Sequence, residues 1–213
     1  MSEFPAMVFP DPSRFDAILF DCDGTLVDTM PLFYYAWRDS LERCGAKVDF
    51  RWDYFCDRGG QRTEVTLNEI CASSGERIDE EPLLRHQRDF IAAHIGDVVA
   101  IEPVVQFAEH CRKIAKPLAV ASGGYREFVH RSLEGTKLKA YFPVIVTCED
   151  VKHTKPAPDL FLLAAEKLGV MPRHCLVLED SPLGIQAAST AGMASWLVPA
   201  IHRSGALPEV KIL

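Results

Sequence analysis

The 213-residue chain has no apolar run approaching the ~18 residues that a membrane span requires. It has no block of basic residues either: 23 Lys and Arg face 30 Asp and Glu, for a net charge of −7. That argues against a nucleic-acid partner, because phosphate backbones are held by clustered Lys and Arg. An acidic chain that binds phosphate must use a focused pocket or a metal. Closely spaced cysteines are missing too. The seven, at 22, 44, 56, 71, 111, 148 and 175, lie at least 12 positions apart. This spacing excludes CxxC motifs, and the odd count offers no disulfide framework. The thiols are expected as buried small hydrophobes in a reducing compartment. The first twelve residues carry Glu3 and no Lys or Arg, so no signal peptide is expected and the cytoplasm is the expected location. There are no repeats, no low-complexity segments and no apolar surface stripe; a monomer is expected.

What remains is an ordinary globular composition, 48% hydrophobic and 25% charged. Its length suits one domain with an insertion, or two small domains. Short apolar runs at 17–20, 118–122, 144–147 and 175–178, with a weaker one at 195–198, read as buried parallel strands. Helical patterns separate the later ones. Val104, Phe107, Ala108 and Cys111 share one helical face, as do Leu160, Leu163, Ala164 and Leu168. Gly169 and Gly192 follow as helix stops, and Pro158 and Pro182 suit first helical turns. This alternation predicts an α/β layered fold with a parallel sheet.

One interval breaks the rhythm. Asp21 and Ser122 are 101 positions apart, whereas Ser122 to Lys155 spans 33 and Lys155 to Asp180 spans 25. The first is too long for one crossover. Within it, 32–44, 63–74 and 81–94 look helical and nothing reads as a clear strand. The first of these repeats Phe33, Trp37, Leu41 and Cys44 and stops at Gly45. The chain is therefore expected to divide into a core of residues 13–29 and 99–213 and an inserted helical domain of residues 30–98.

The chemistry concentrates at strand ends. In "ILFDCDGTLVDT", residues 18–29, an apolar run delivers Asp21 and Asp23 to one face of a strand end. In open α/β sheets that edge is where ligands bind. Like charges there repel unless a cation or a reaction requires them. A calcium loop is disfavoured, since its glycine falls at the sixth position, whereas Gly24 here is the fourth. "AVASGGY" ends a second strand at Ser122, and Gly123 and Gly124 bare backbone N–H groups before a helix, a cradle for phosphate. "KHTKPAPDLF" fixes Lys155 before Pro-x-Pro, where it can act as a positioned charge, with Lys152 as its competitor and His153 read as a surface residue. "LVLEDSPLGIQAA" brings Glu179 and Asp180 to another strand end, with Ser181 capping the next helix. Together with Asp21 and Asp23 this acidic pair makes an oxygen-only cage suited to Mg²⁺.

The order DxDGT, Ser, Lys, acidic pair resembles the haloacid dehalogenase superfamily, and the likeness runs from about Phe15 to Met193. The resemblance implies a doubly wound, Rossmann-like parallel-sheet core, and the insertion is similar to that superfamily's helical type-one cap. "HTKPAPDLFLLAAEKLGV" with "EDSPLGIQAASTAGM" is similar to its β-phosphoglucomutase-like branch, and most to phosphatases of fructose 1-phosphate, 6-phosphogluconate or other small sugar phosphates. The resemblance implies that Asp21 is a nucleophile forming an aspartyl-phosphate and that Asp23 is the general acid and base. Ser122, Gly123 and Lys155 would hold the phosphoryl group. Mg²⁺ would be bound by Asp21, the backbone carbonyl of Asp23, and Asp180, with Glu179 direct or through water.

Mutase relatives carry a His ten positions after the second aspartate and a valine-like residue in place of the threonine. Here those positions are Phe33 and Thr25, which favours hydrolysis. An intramolecular phosphotransferase remains the alternative reading. A phospho-accepting signalling module is a third, disfavoured by the large insertion and by acidic residues on the wrong strands. Substrate choice is expected from the insertion, where "DRGGQRTEV" places Gly60 with Arg58 or Arg62 to meet a substrate hydroxyl or acid. Hinges are expected near 28–31 and 96–103. Trp37, Tyr34 and Tyr35 read as core of the inserted domain.

Overall fold

The computed structural model describes residues 7–58, 61 and 63–199. The expected substrate residues Gly60 and Arg62 lie outside the described residues. Close contacts divide the chain into two compact units: one runs to Asp28 and resumes at Gly96, and the other comprises Thr29–Ile95.

The first unit is built on five parallel strands. β1 (Ala17–Phe20) is central, between β4 (Leu118–Ala121) and β6 (Cys175–Glu179), with β5 (Val144–Val146) and β7 (Ala194–Leu197) at the edges; the order is β5-β4-β1-β6-β7. A two-residue antiparallel pair, β2 (Val27–Asp28) and β3 (Val99–Ala100), lies outside this sheet. Side chains alternate along each central strand, so each strand feeds both faces. Ile18, Phe20, Leu118, Val120, Leu176 and Leu178 pack with α5 (Glu102–Lys113) and α6 (Arg126–Gly135). Ala17, Leu19, Ala119, Ala121, Cys175 and Val177 pack with α7 (Asp159–Leu168) and α8 (Pro182–Thr190). The residues facing α7 and α8 are smaller, and the exchange of Phe and Leu for Ala lets those helices approach the sheet. This is the α/β fold with a parallel sheet that the alternation of strands and helices predicts, and it is doubly wound as the resemblance implies.

The faces expected from helical spacing agree in part with burial. Val104, Phe107, Ala108 and Cys111 are all buried, but of the second set only Leu160 and Ala164 are, with Leu163 and Leu168 at the margin. Pro182 opens α8, whereas Pro158 sits just before α7 as its cap residue rather than inside the first turn. Burial of the cysteines is also mixed: Cys22, Cys111 and Cys175 are buried, and Cys44, Cys56, Cys71 and Cys148 are half-buried. All seven are free thiols. Among the described residues no helix is long and apolar enough to cross a membrane.

The second unit contains α1 (Met30–Arg43), α2 (Trp52–Cys56), α3 (Thr63–Ser74) and α4 (Glu80–His94). Its core gathers Tyr34, Trp37, Leu41, Phe50, Phe55, Leu67, Ile70 and Leu83. Trp37 stacks on Phe50 with ring centroids 5.4 Å apart, and the buried Tyr34 hydroxyl donates to the Phe50 carbonyl at 3.1 Å. These aromatics are structural, as the spacing of α1 predicts. The short α2 has no counterpart in the sequence reading, because five residues are too few to show helical periodicity.

Candidate active site

Register aligns the strand ends. Phe20 is level with both Val120 and Leu178, and the Asp21 N–H continues the ladder to the Leu178 carbonyl at 2.9 Å. Asp21 therefore leaves the sheet beside Glu179. The chain then winds around one oxygen: the N–H groups of Thr25, Leu26 and Val27 all donate to the Cys22 carbonyl, at 3.3, 2.9 and 3.0 Å. Gly24 allows this turn with a φ of +80°, which side-chain-bearing residues rarely adopt. A Cβ at Gly24 would also lie 2.8 Å from the Asp180 carboxylate carbon. Both effects oppose substitution. Gly24→Ala is expected to lower the melting temperature by about 2–8 °C, from a cost of about 1–2 kcal/mol. A thermal melt matching wild type would show that the turn does not depend on glycine.

Asp21 is 4% exposed and Glu179 is 1% exposed, so two carboxylates are buried side by side. Lys155 answers both. Its ammonium donates to Asp21 Oδ1 and, at 2.6 Å, to Glu179 Oε2. The ammonium also lies 5.1 Å from the ring centroid of the buried Phe161, the third residue of α7. Burial alone would lower the Lys155 pKa, but the attraction of Asp21 and Glu179 prevails and raises it. Lys155 is thus a fixed cation. The carboxylates shift upward as well, which for them favours the uncharged form: burial first, then Glu179, hold Asp21 well above the usual carboxylate range despite Lys155. The same two causes push Asp180 up to about 7. One lysine is insufficient compensation for this much negative charge.

Ser122, fully buried at the end of β4, faces the second aspartate. Its hydroxyl donates to Asp23 Oδ2 at 3.4 Å and accepts from the Gly124 N–H at 3.0 Å. A Cβ on Gly124 would lie 3.2 Å from both Asp23 Oδ2 and Ser122 Oγ, so this glycine gives the loop its close approach. Gly123 is exposed beside it. Asp21, Glu179 and Asp180 each offer an oxygen within 4.8 Å of the others. An oxygen-only donor set that is under-compensated in charge fits a hard divalent cation such as Mg²⁺.

The first unit therefore brings together Asp21, Lys155, Glu179 and Asp180, and places Ser122 and Gly124 against Asp23. Lys152 takes no part in these contacts. His153, 61% exposed, pairs with Asp159 at 3.4 Å. Arg58, in the helical unit, is engaged otherwise: it pairs with Glu69 at 2.7 Å and its guanidinium lies 3.5 Å from the Tyr54 ring centroid. Sequence reasoning missed Phe161 under the ammonium, because it merges with the apolar run of α7. It also read Ser181 only as a helix cap, although the Ser181 hydroxyl donates to Glu179 Oε1 at 2.7 Å.

A parallel sheet whose carboxyl edge gathers buried carboxylates, a fixed ammonium and a hydroxyl has the parts that chemistry on phosphoryl groups requires. Residues 18–198 match the family described as haloacid dehalogenase-like hydrolase, and the chain belongs to that family. It is 35% identical to fructose-1-phosphate phosphatase YqaB of Escherichia coli K12, covering 84% of this chain and 94% of that one. It is 29% identical to hexitol phosphatase A of the same organism, over 94% of this chain and 90% of that one. Among solved structures it is similar to a HAD family hydrolase from Deinococcus radiodurans R1 with bound phosphate and sodium. That likeness has a TM-score of 0.69 and 28% identity, covering 86% of this chain and 80% of that one. The chain is a hydrolase of the phosphatase type.

Proposed function

We propose that the protein is a Mg²⁺-dependent phosphatase of small phosphorylated metabolites, sugar phosphates foremost, acting through an aspartyl-phosphate on Asp21. The observation that carries this reading is the Lys155 ammonium bonded to the Asp21 carboxylate at a sheet edge shared with Ser122, Asp23 and Asp180. A nucleophile must be held where the anion it attacks is also neutralised, and Lys155 does both. An Asp21 oxygen attacks phosphorus, the ester P–O bond breaks, and Asp23 gives its proton to the departing alkoxide. Asp23, now a carboxylate, takes a proton from water. The water oxygen attacks phosphorus, the Asp21–phosphorus bond breaks and inorganic phosphate leaves. Lys155 and the Ser122 hydroxyl donate to the phosphoryl oxygens throughout, with Gly123 offering backbone N–H. Mg²⁺, when bound by Asp21, the Asp23 carbonyl and Asp180 with Glu179, supplies charge neutralisation that one lysine cannot.

The names of the E. coli relatives, a fructose 1-phosphate and a hexitol phosphatase, support sugar phosphates as the substrate class. By the same reading the inserted residues 30–98 act as the substrate-selecting cap domain, with Gly60 and Arg62 as its selecting residues. Residues 13–29 and 99–213 form the catalytic core. The enzyme acts as a monomer in the cytoplasm, a reducing compartment that suits its seven free thiols.

A phosphate-release screen over sugar phosphates, 6-phosphogluconate and nucleotides tests this reading. Release is expected with Mg²⁺ and its loss on chelation, with recovery when Mg²⁺ is returned. Turnover that persists in chelator rejects the metal. Interconversion of sugar 1- and 6-phosphates without release identifies a phosphotransferase instead.

A further inference from the structure

The Glu179 carboxylate is held from both sides. Oε2 accepts from Lys155 at 2.6 Å; Oε1 accepts from the Ser181 N–H at 3.0 Å and from the Ser181 hydroxyl at 2.7 Å. The same hydroxyl accepts from the Gly184 N–H at 3.0 Å, so one side chain both caps α8 and orients Glu179. A lone capping serine needs only the second of these bonds. Gly184 is conspicuous for a different reason. It lies inside a helix, where glycine is disfavoured relative to alanine, yet a Cβ there would overlap the Glu179 carboxylate. Helix propensity argues for alanine; the carboxylate forbids it.

We infer that Ser181 and Gly184 are positioning residues for turnover: they fix Glu179 in the one place from which it aims the Lys155 ammonium at the reacting group. Ser181 supplies the directional bond and Gly184 the empty volume that Glu179 occupies. Neither touches substrate. Their effect passes through a carboxylate that is 1% exposed and hydrogen-bonded at both oxygens. Because a developing transition state gains more from an aimed ammonium than bound substrate does, a misaimed Lys155 costs turnover more than binding.

This inference rests on the phosphatase reading, so wild-type release from fructose 1-phosphate with Mg²⁺ is measured first, and its absence counts against that reading alone. Ser181→Ala is expected to lower kcat about tenfold with KM changed less than about twofold, and Ser181→Thr, which keeps both hydrogen bonds, to restore kcat to within about threefold. Gly184→Ala removes no hydrogen bond and is expected to show the same kcat-weighted loss. The calorimetric Kd for inorganic orthovanadate, a pentacoordinate mimic of the transferring group, is expected to rise about tenfold in Ser181→Ala and Gly184→Ala, while the Kd for inorganic phosphate moves less. That comparison needs no knowledge of the true substrate. Wild-type kcat and orthovanadate affinity in Gly184→Ala overturn the proposal. So does a Ser181→Ala loss that Ser181→Thr fails to rescue, or one accompanied by an equal weakening for phosphate. Should Ser181→Ala not fold, Gly184→Ala decides.

Discussion

Asp21→Asn is expected to reduce phosphate release from the best sugar phosphate to background, a loss on the order of 10⁶-fold in kcat, while the protein stays folded. The amide is isosteric with the carboxylate but is a poor nucleophile, so the proposed covalent step would have no substitute. Folding should survive because Asp21 is not a net stabiliser in the metal-free protein. Burial, then the charge of Glu179, pushes its pKa well above the ordinary value, so ionising Asp21 costs more in the folded chain than in the unfolded one. A neutral side chain there relieves the crowding, and Lys155 keeps its 2.6 Å partner Glu179. The melting temperature of Asp21→Asn in chelator is therefore expected to equal or exceed that of wild type. Substantial turnover by the variant would reject Asp21 as nucleophile. Unfolding in chelator would show instead that the Asp21–Lys155 pair outweighs the repulsion.

The parts of the fold that were legible in the sequence are those where apolar runs meet abrupt polar stops. β1 is bounded by Asp16 and Asp21, so its four residues, Ala17–Phe20, stand out. β2 and β3, two residues each, leave no periodic signal at all, and the five residues of α2 leave none distinguishable from a loop. The strand-end residues Asp21, Ser122, Lys155, Glu179 and Asp180 were visible because parallel-sheet topology sends successive carboxyl ends to one edge. Which lysine reaches that edge was less so, since Lys152 and Lys155 differ in sequence only by the prolines that follow the second. What surrounds those residues was not legible. The ring of Phe161 under the ammonium and the space that Gly184 leaves for Glu179 arise from the packing of α7 and α8 on the sheet. Spacing along a chain carries no record of depth, so it does not separate the three buried cysteines from the four half-buried ones.

Lys155→Met is the second large expected effect, and it separates the two duties of the ammonium. Methionine has a similar length and keeps apolar contact with Phe161, so the change removes charge and hydrogen bonds more than volume. In catalysis, losing one preorganised donor to a developing anion is expected to cost about 10²–10³-fold in kcat. In stability, Asp21 and Glu179 are left buried without their common cation, and breaking a buried pair in this way costs about 3–5 kcal/mol. The side chain is 12% exposed, so solvent offers little relief. The two losses should respond differently to metal. Mg²⁺ added to the variant is expected to raise its melting temperature by more than it raises that of wild type, because a dication then does alone what it otherwise shares with Lys155. The same addition should leave kcat low, since a metal ion, wherever the carboxylates held it, would have no hydrogen bond to donate in place of the one Lys155 aims. Thermal melts with and without Mg²⁺, beside steady-state phosphate release, read both quantities. Wild-type kcat in a folded Lys155→Met protein would remove the lysine from the reaction; an unchanged melting temperature would mean that the buried carboxylates are compensated from elsewhere.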